Sequence, residues 1–154
     1  MTNETRRCVA VIAYMMIVGK GACSVFDYTL GGYYNMGCTF SGNYISLFDY
    51  RRSCYISGYL PNLFDYSTAS YINLRRGTNT VDGYAYHTAS YLNVTINGSS
   101  VTIFDYQMSR YYMYSVASNT QPKRIKKLQY AISTFLNFLF DAFSTKAFST
   151  GDII

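Results

Sequence analysis

One repeated phrase constrains this chain more than any other feature. An acid followed at once by tyrosine recurs at Asp27-Tyr28, Asp49-Tyr50, Asp65-Tyr66 and Asp105-Tyr106, and Ala85-Tyr86 holds the same place in a fifth copy. A second tyrosine falls six residues after each acid position, at Tyr33, Tyr55, Tyr71, Tyr91 and Tyr111. An aromatic residue precedes it, at Phe26, Phe48, Phe64, Tyr84 and Phe104, and successive copies are offset by 22, 16, 20 and 20 residues. Self-similarity at such a period marks a chain of supersecondary units, none able to bury its apolar face alone.

Each copy reads as a β-hairpin. In "SSVTIFDYQMSRYYMYSV", Val101 and Ile103 alternate with Thr102 and Phe104, the period of a strand with two unlike faces. The acid then arrives where the chain must reverse. A short carboxylate accepts hydrogen bonds from the N–H groups of its own turn, so Asp27, Asp49, Asp65 and Asp105 are predicted turn caps. Tyr111, Tyr112 and Tyr114 resume the strand, where aromatics are favoured and pair across strands. The turn formers Ser41-Gly42-Asn43, Arg76-Gly77-Thr78-Asn79 and Asn97-Gly98-Ser99 separate the hairpins. Tandem hairpins must stack as a solenoid or close into a ring, and closure removes edges that weakly charged strands would expose to aggregation. The expectation is a mainly β fold: a closed or nearly closed shallow barrel of hairpin repeats over residues 23–117, flanked by an apolar segment 1–22 and a helical segment 118–154.

The phrases "LFDYRRSCYI", "LFDYSTASYI" and "IFDYQMSRYY" resemble the repeat of the bacterial four-fold β-flower family, an aliphatic-aromatic pair, an Asp, and an aromatic six residues later. The resemblance covers Cys23 to about Val116. It implies a pseudo-symmetric barrel of hairpin petals, reminiscent of the Tubby C-terminal domain, and no activity or functional residue. Tyrosine stands after the acid where many members carry glycine, and the phrases number five rather than four, so a fifth petal is in question.

Both ends of the chain are of another kind. "TRRCVAVIAYMMIVGKGAC" runs from basic to apolar to small residues, the order of a secretory signal. Its apolar run is too short for an ordinary membrane span of about 20 residues. Acylation at Cys23 would place Lys20 where such signals carry an aliphatic residue. The alternative is a first buried strand or helix of the domain. Near the other end, Ile125, Leu128, Ile132, Phe135, Leu136, Leu139 and Phe143 follow the spacing of one helical face, with Pro122 near its start. Ten or eleven strands can hold a central helix, and nine helical residues rise about 13 Å against about 17 Å for a five-residue strand. Phe135 to Phe143 are therefore expected to plug the ring or cap its mouth. The rival reading is an interfacial helix that sets its phenylalanines in the acyl boundary and Lys123, Arg124, Lys126 and Lys127 on anionic headgroups. Four cations at a helix N-terminus oppose its macrodipole, which favours a partner that rewards them.

Composition narrows the function classes. Of 154 residues 49% are hydrophobic and 14% charged, and four of the five net positive charges come from that one basic cluster. Nucleic-acid tracking wants cations spread along a groove and is disfavoured. Cys8, Cys23, Cys38 and Cys54 form no C-x-x-C pair and are spaced 15, 15 and 16 residues apart, in step with the repeat. They read as small buried strand residues, with disulfide pairing open to an exported chain; neither a zinc site nor any other metal or cofactor is expected. The single histidine, His87, falls in a turn. No catalytic triad, Cys-His set or phosphate-binding glycine loop is apparent, so no catalytic residue is assigned. Repeat symmetry places the aspartates on a rim, apart from one another, for capping turns rather than binding a cation. Asn93 and Asn97 open glycosylation sequons that matter in a eukaryotic secretory setting. Tyr33, Tyr55, Tyr71, Tyr91 and Tyr111 form a candidate aromatic layer, either a site for a lipid tail, glycan or quaternary amine, or a packing layer that leans each hairpin on its neighbour.

The reading is a non-enzymatic β-barrel that binds or tethers, with an anionic membrane or lipid surface as first partner and a bacterial membrane or envelope as its setting. A structural or self-associating repeat protein comes next, and an enzyme with a site assembled across petals is third.

Overall fold

The computed structural model describes the backbone of residues 1–118 and 123–147, with side chains for 1–118 except Cys23 and for 130–143. The elements run α1 (Asn3–Val18), β1 (Ala22–Asp27), β2 (Gly32–Ser41), β3 (Tyr44–Asp49), β4 (Cys54–Tyr59), β5 (Asn62–Asp65), β6 (Ser70–Arg76), β7 (Thr80–Ala85), β8 (Ser90–Asn97), β9 (Ser100–Asp105), β10 (Arg110–Ser118) and α2 (Lys123–Ala147). The ten strands form one closed antiparallel barrel in which each pairs with its sequence neighbours and β1 pairs with β10. Five phrases therefore give five hairpins, β1–β2 to β9–β10, each folding back at its acid position.

The period-2 pattern decides what faces inward. Val25, Leu47, Leu63 and Ile103 are fully buried, and so, two residues on, are Asp27, Asp49, Asp65 and Asp105. The acids thus share the apolar face of their strands and end it at one mouth of the barrel. Each turn is four residues long and ends in a left-handed residue: Gly31, Ser53, Ala69, Ala89 and Ser109 have φ of 68°, 50°, 49°, 47° and 50°. Asp Oδ1 caps the turn as its carboxylate chemistry requires. In the first hairpin it accepts from the N–H of Thr29 at 2.9 Å, and Asp49, Asp65 and Asp105 accept likewise from Arg51, Ser67 and Gln107. The other mouth carries tighter turns at Gly42-Asn43, Leu60-Pro61 and Gly98-Ser99.

A lumen bounded by ten strands is too wide for its own side chains to fill. It is filled by α1, buried all round from Thr5 to Met16 and packed against β1, β3, β6, β7, β8, β9 and β10. Sequence and position agree. Thr2 caps the first turn by accepting from the Thr5 N–H at 3.2 Å, Gly19 at φ 71° ends the helix, and an apolar run between them faces wall on every side. Two expectations are corrected here. The plug is the N-terminal segment, in its buried-helix form, and Cys8 lies on that helix rather than on a strand. Phe135 and Phe143, expected to plug the ring or cap its mouth, are solvent-exposed, and the lumen is occupied by Val9, Ile12, Ala13 and Met16 of α1. The chain divides into two compact units, Met1–Asn119 with the barrel and its helix, and Thr120–Ile154 with α2.

Candidate functional site

At the mouth where α1 begins, four carboxylates meet three guanidinium groups. Arg6 Nη1 donates to Asp105 Oδ2 at 2.8 Å, and the Met1 amine lies 3.3 Å from the same oxygen. Arg7, with no exposed surface, lies 3.6 Å from Asp27 Oδ2 and stacks 3.7 Å above the Tyr34 ring. Arg6 stacks in the same way 3.6 Å above Tyr112. From the second turn, Arg52 reaches inward and bridges two hairpins, donating to Asp49 Oδ2 at 2.9 Å and to Asp65 Oδ2 at 3.4 Å. The acids are therefore not isolated rim groups: one oxygen of each holds the turn, and the other faces a cation of α1 or of Arg52. The parity of Ile45-Leu47-Asp49 and Val101-Ile103-Asp105 carried that signal, since it sets carboxylate and aliphatic side chains on one face.

The electrostatics follow from burial. Asp105 is pushed up by burial, but hydrogen bonds and charge from Arg6 and the Met1 amine outweigh this and hold its carboxyl below the usual range. Burial pushes the Cys8 thiol well above its ordinary value, although Arg52 Nη2 lies 3.2 Å from Sγ. The Tyr114 phenol is raised by burial and by Asp27 nearby. Each Asp Oδ1 and Oδ2 is engaged by turn N–H groups or cations, except that Asp27 Oδ2 and the Arg7 nitrogens make no hydrogen bond among the described residues. The four carboxylates and three guanidinium groups pair helix to wall and hairpin to hairpin; among the described residues no cluster of three or more His, Cys, Asp or Glu side chains is placed to hold a metal ion. His87 is exposed in the fourth turn.

The tyrosines face the other way. Tyr33, Tyr55, Tyr71, Tyr91 and Tyr111 are 49–78% exposed on the outer wall. Each stands directly across its own hairpin from the aromatic before the acid, as in Phe26↔Tyr33 and Phe104↔Tyr111. With the tyrosine after the acid position they make five triads, ring centroids 4.7–5.2 Å apart, edges turned to faces except in the tilted Phe48–Tyr55 and Phe104–Tyr111 pairs. The ring pairs thus form within each hairpin, and Tyr50 of the second hairpin also lies over Gly37 of the first, its hydroxyl 3.1 Å from where a Cβ on that glycine would stand. Neighbouring hairpins are joined through the same residues' main chain, Tyr66 N–H to Tyr55 O, Tyr86 to Tyr71 and Tyr106 to Tyr91 at 3.0, 3.1 and 3.2 Å. Away from the triads the outer wall is mixed, with Asn35, Thr39, Thr95 and Asn97 exposed beside Tyr59 and Met113.

On α2, Tyr130, Ile132, Phe135, Leu136, Phe138, Leu139, Phe140 and Phe143 are all exposed. Ile132, Phe135, Leu136, Leu139 and Phe143 share one stripe by their spacing. Lys123, Arg124, Lys126 and Lys127 lie on the first turns of this helix, and their side chains fall outside the described residues. Among the described residues no helix is long and apolar enough to cross a membrane. No family model, curated protein or solved structure matches the chain.

Proposed function

We propose that the protein is a non-enzymatic attachment module, a rigid barrel tethered to an anionic lipid surface by α2. One observation carries the reading: a stripe of large apolar side chains on α2 stands in solvent directly after a cluster of four cations. Such a helix lies in the interface plane, its apolar face among acyl chains and its cations among headgroups. A β-flower-like ancestry and a bacterial envelope setting belong to the same proposal, supported by hairpin petals with an acid in four of five turns.

Vesicle co-sedimentation of the full chain tests it. Binding is expected to phosphatidylglycerol-containing vesicles and to be much weaker on pure phosphatidylcholine. Replacing Lys123, Arg124, Lys126 and Lys127 with Gln removes about 4 kcal/mol at roughly 1 kcal/mol each, close to three decades in partition at low salt. Phe135→Ser with Leu139→Ser abolishes what remains. Equal sedimentation of wild type and both variants would refute the tether. Self-association is the second reading, favoured by the exposed triads; a sedimentation coefficient that climbs with protein concentration, and falls back in Tyr33→Ala with Tyr111→Ala, would support it.

A further inference from the structure

The fourth hairpin breaks the repeat on both faces at once. Where other copies carry Val25, Leu47, Leu63 and Ile103, it carries Gly83, and Tyr84-Ala85 replaces Phe-Asp. Inside, a Cβ on Gly83 would stand 2.7 Å from Leu74 Cδ2, so the neighbours have taken the missing volume. Outside, a groove of about 550 Å³ opens along the same hairpin, lined by Asn73, Arg75, Asp82, Tyr84, Tyr86 and Tyr91.

Its walls and floor differ in kind. The wall is the Tyr84–Tyr86–Tyr91 triad, centroids 4.9 Å apart, and of the five triads it is the one in which all three rings carry a hydroxyl. The floor is polar. Arg75 and Asp82 stand opposite each other across β6 and β7, Asn93 Nδ2 donates to Asp82 Oδ1 at 2.7 Å, and Arg75 Nε donates to Asn73 Oδ1 at 3.4 Å. Guanidinium, carboxylate and amide thus lie side by side on the same face as the half-buried Tyr84 ring and the exposed Tyr86 and Tyr91 rings.

We propose that this groove binds a neutral saccharide, a hexose oligomer laid along the hairpin. A pyranose has an apolar C–H face and a rim of hydroxyls, each both donor and acceptor. The tyrosine wall suits the face, and a floor of mixed donors and acceptors suits the rim. Charge removes the rivals. A quaternary ammonium group seeks aromatic faces without a fixed cation beside them, and Arg75 supplies one. An anion meets Asp82. A lipid tail would strip water from Arg75, Asp82 and Asn73 without replacing the hydrogen bonds. The site uses the barrel alone and is independent of α2.

Affinity electrophoresis of the full chain in gels cast with laminarin, mannan, dextran or hydroxyethylcellulose, followed by saturation-transfer NMR with laminarihexaose, mannohexaose, isomaltohexaose and cellohexaose, tests the assignment. Retention by at least one polymer is expected, with at least tenfold weaker binding in Tyr91→Ala and in Asp82→Ala at unchanged melting temperature. Tyr33→Ala, in the equivalent position of the first hairpin, should change affinity less than twofold. No retention by any of the four polymers overturns the proposal. So does a loss in Tyr33→Ala equal to that in Tyr91→Ala, which marks generic aromatic adhesion, or a preference for choline over every hexasaccharide.

Discussion

At the scale of single residues, the unusual feature is charge inside an apolar barrel. Removing one member of a buried ion pair strands the other and typically costs about 3–5 kcal/mol, whereas removing both can cost little. Arg7 and Asp27 are suited to a double-mutant cycle, because Asn at 27 keeps the oxygen that caps the turn. Arg7→Met and Asp27→Asn should each destabilise by that amount in urea unfolding, and the double variant by clearly less than their sum. Additive losses would show that the two do not act as a pair. Asp105 gives the pH dependence. Its folded carboxyl titrates below the unfolded one, so it contributes stability that is fully present above about pH 4 and is lost as pH falls through the folded value. Acid unfolding followed by circular dichroism should therefore be shallower in Asp105→Asn, with the wild-type advantage confined to the higher-pH side. Cys8, buried and with its thiol pKa raised, should resist alkylation in the native protein and react once the chain is unfolded.

At the scale of elements, the turns and the central helix carry the fold. Ala69 holds a left-handed conformation that costs an L-residue about 1–2 kcal/mol, of which glycine's greater unfolded freedom returns about 0.5–1. Ala69→Gly should therefore raise stability by about 0.5–1 kcal/mol, and Gly31→Ala should lower it by a similar amount, in chemical denaturation. For α1, Ile12 sits fully buried between helix and wall, so Ile12→Ala should cost about 2–5 kcal/mol. A loss under 1 kcal/mol would mean that the lumen does not need the helix.

At the scale of the molecule, the closed ring leaves no strand edge, and its core among the described residues ends at Val116. A chain ended after Asn119 should keep its β circular dichroism and melting temperature while losing vesicle binding. Loss of both together would show that α2 serves the barrel instead.

The hairpins and their reversal at each acid position could be read from residue order, because a period of two and a turn acid are local properties of the chain; whether the petals numbered four or five was decided by the ten-stranded ring. Closure could be expected as well, since a ring removes the edges that weakly charged strands would otherwise expose. The choice of plug was not local. Two helical segments had the apolarity and length to enter the lumen, and only the packed barrel shows α1 surrounded and α2 exposed. Nor was the pairing of Arg6, Arg7 and Arg52 with aspartates up to 99 residues away, because charge partners are set by where strands end in space and not by spacing along the chain.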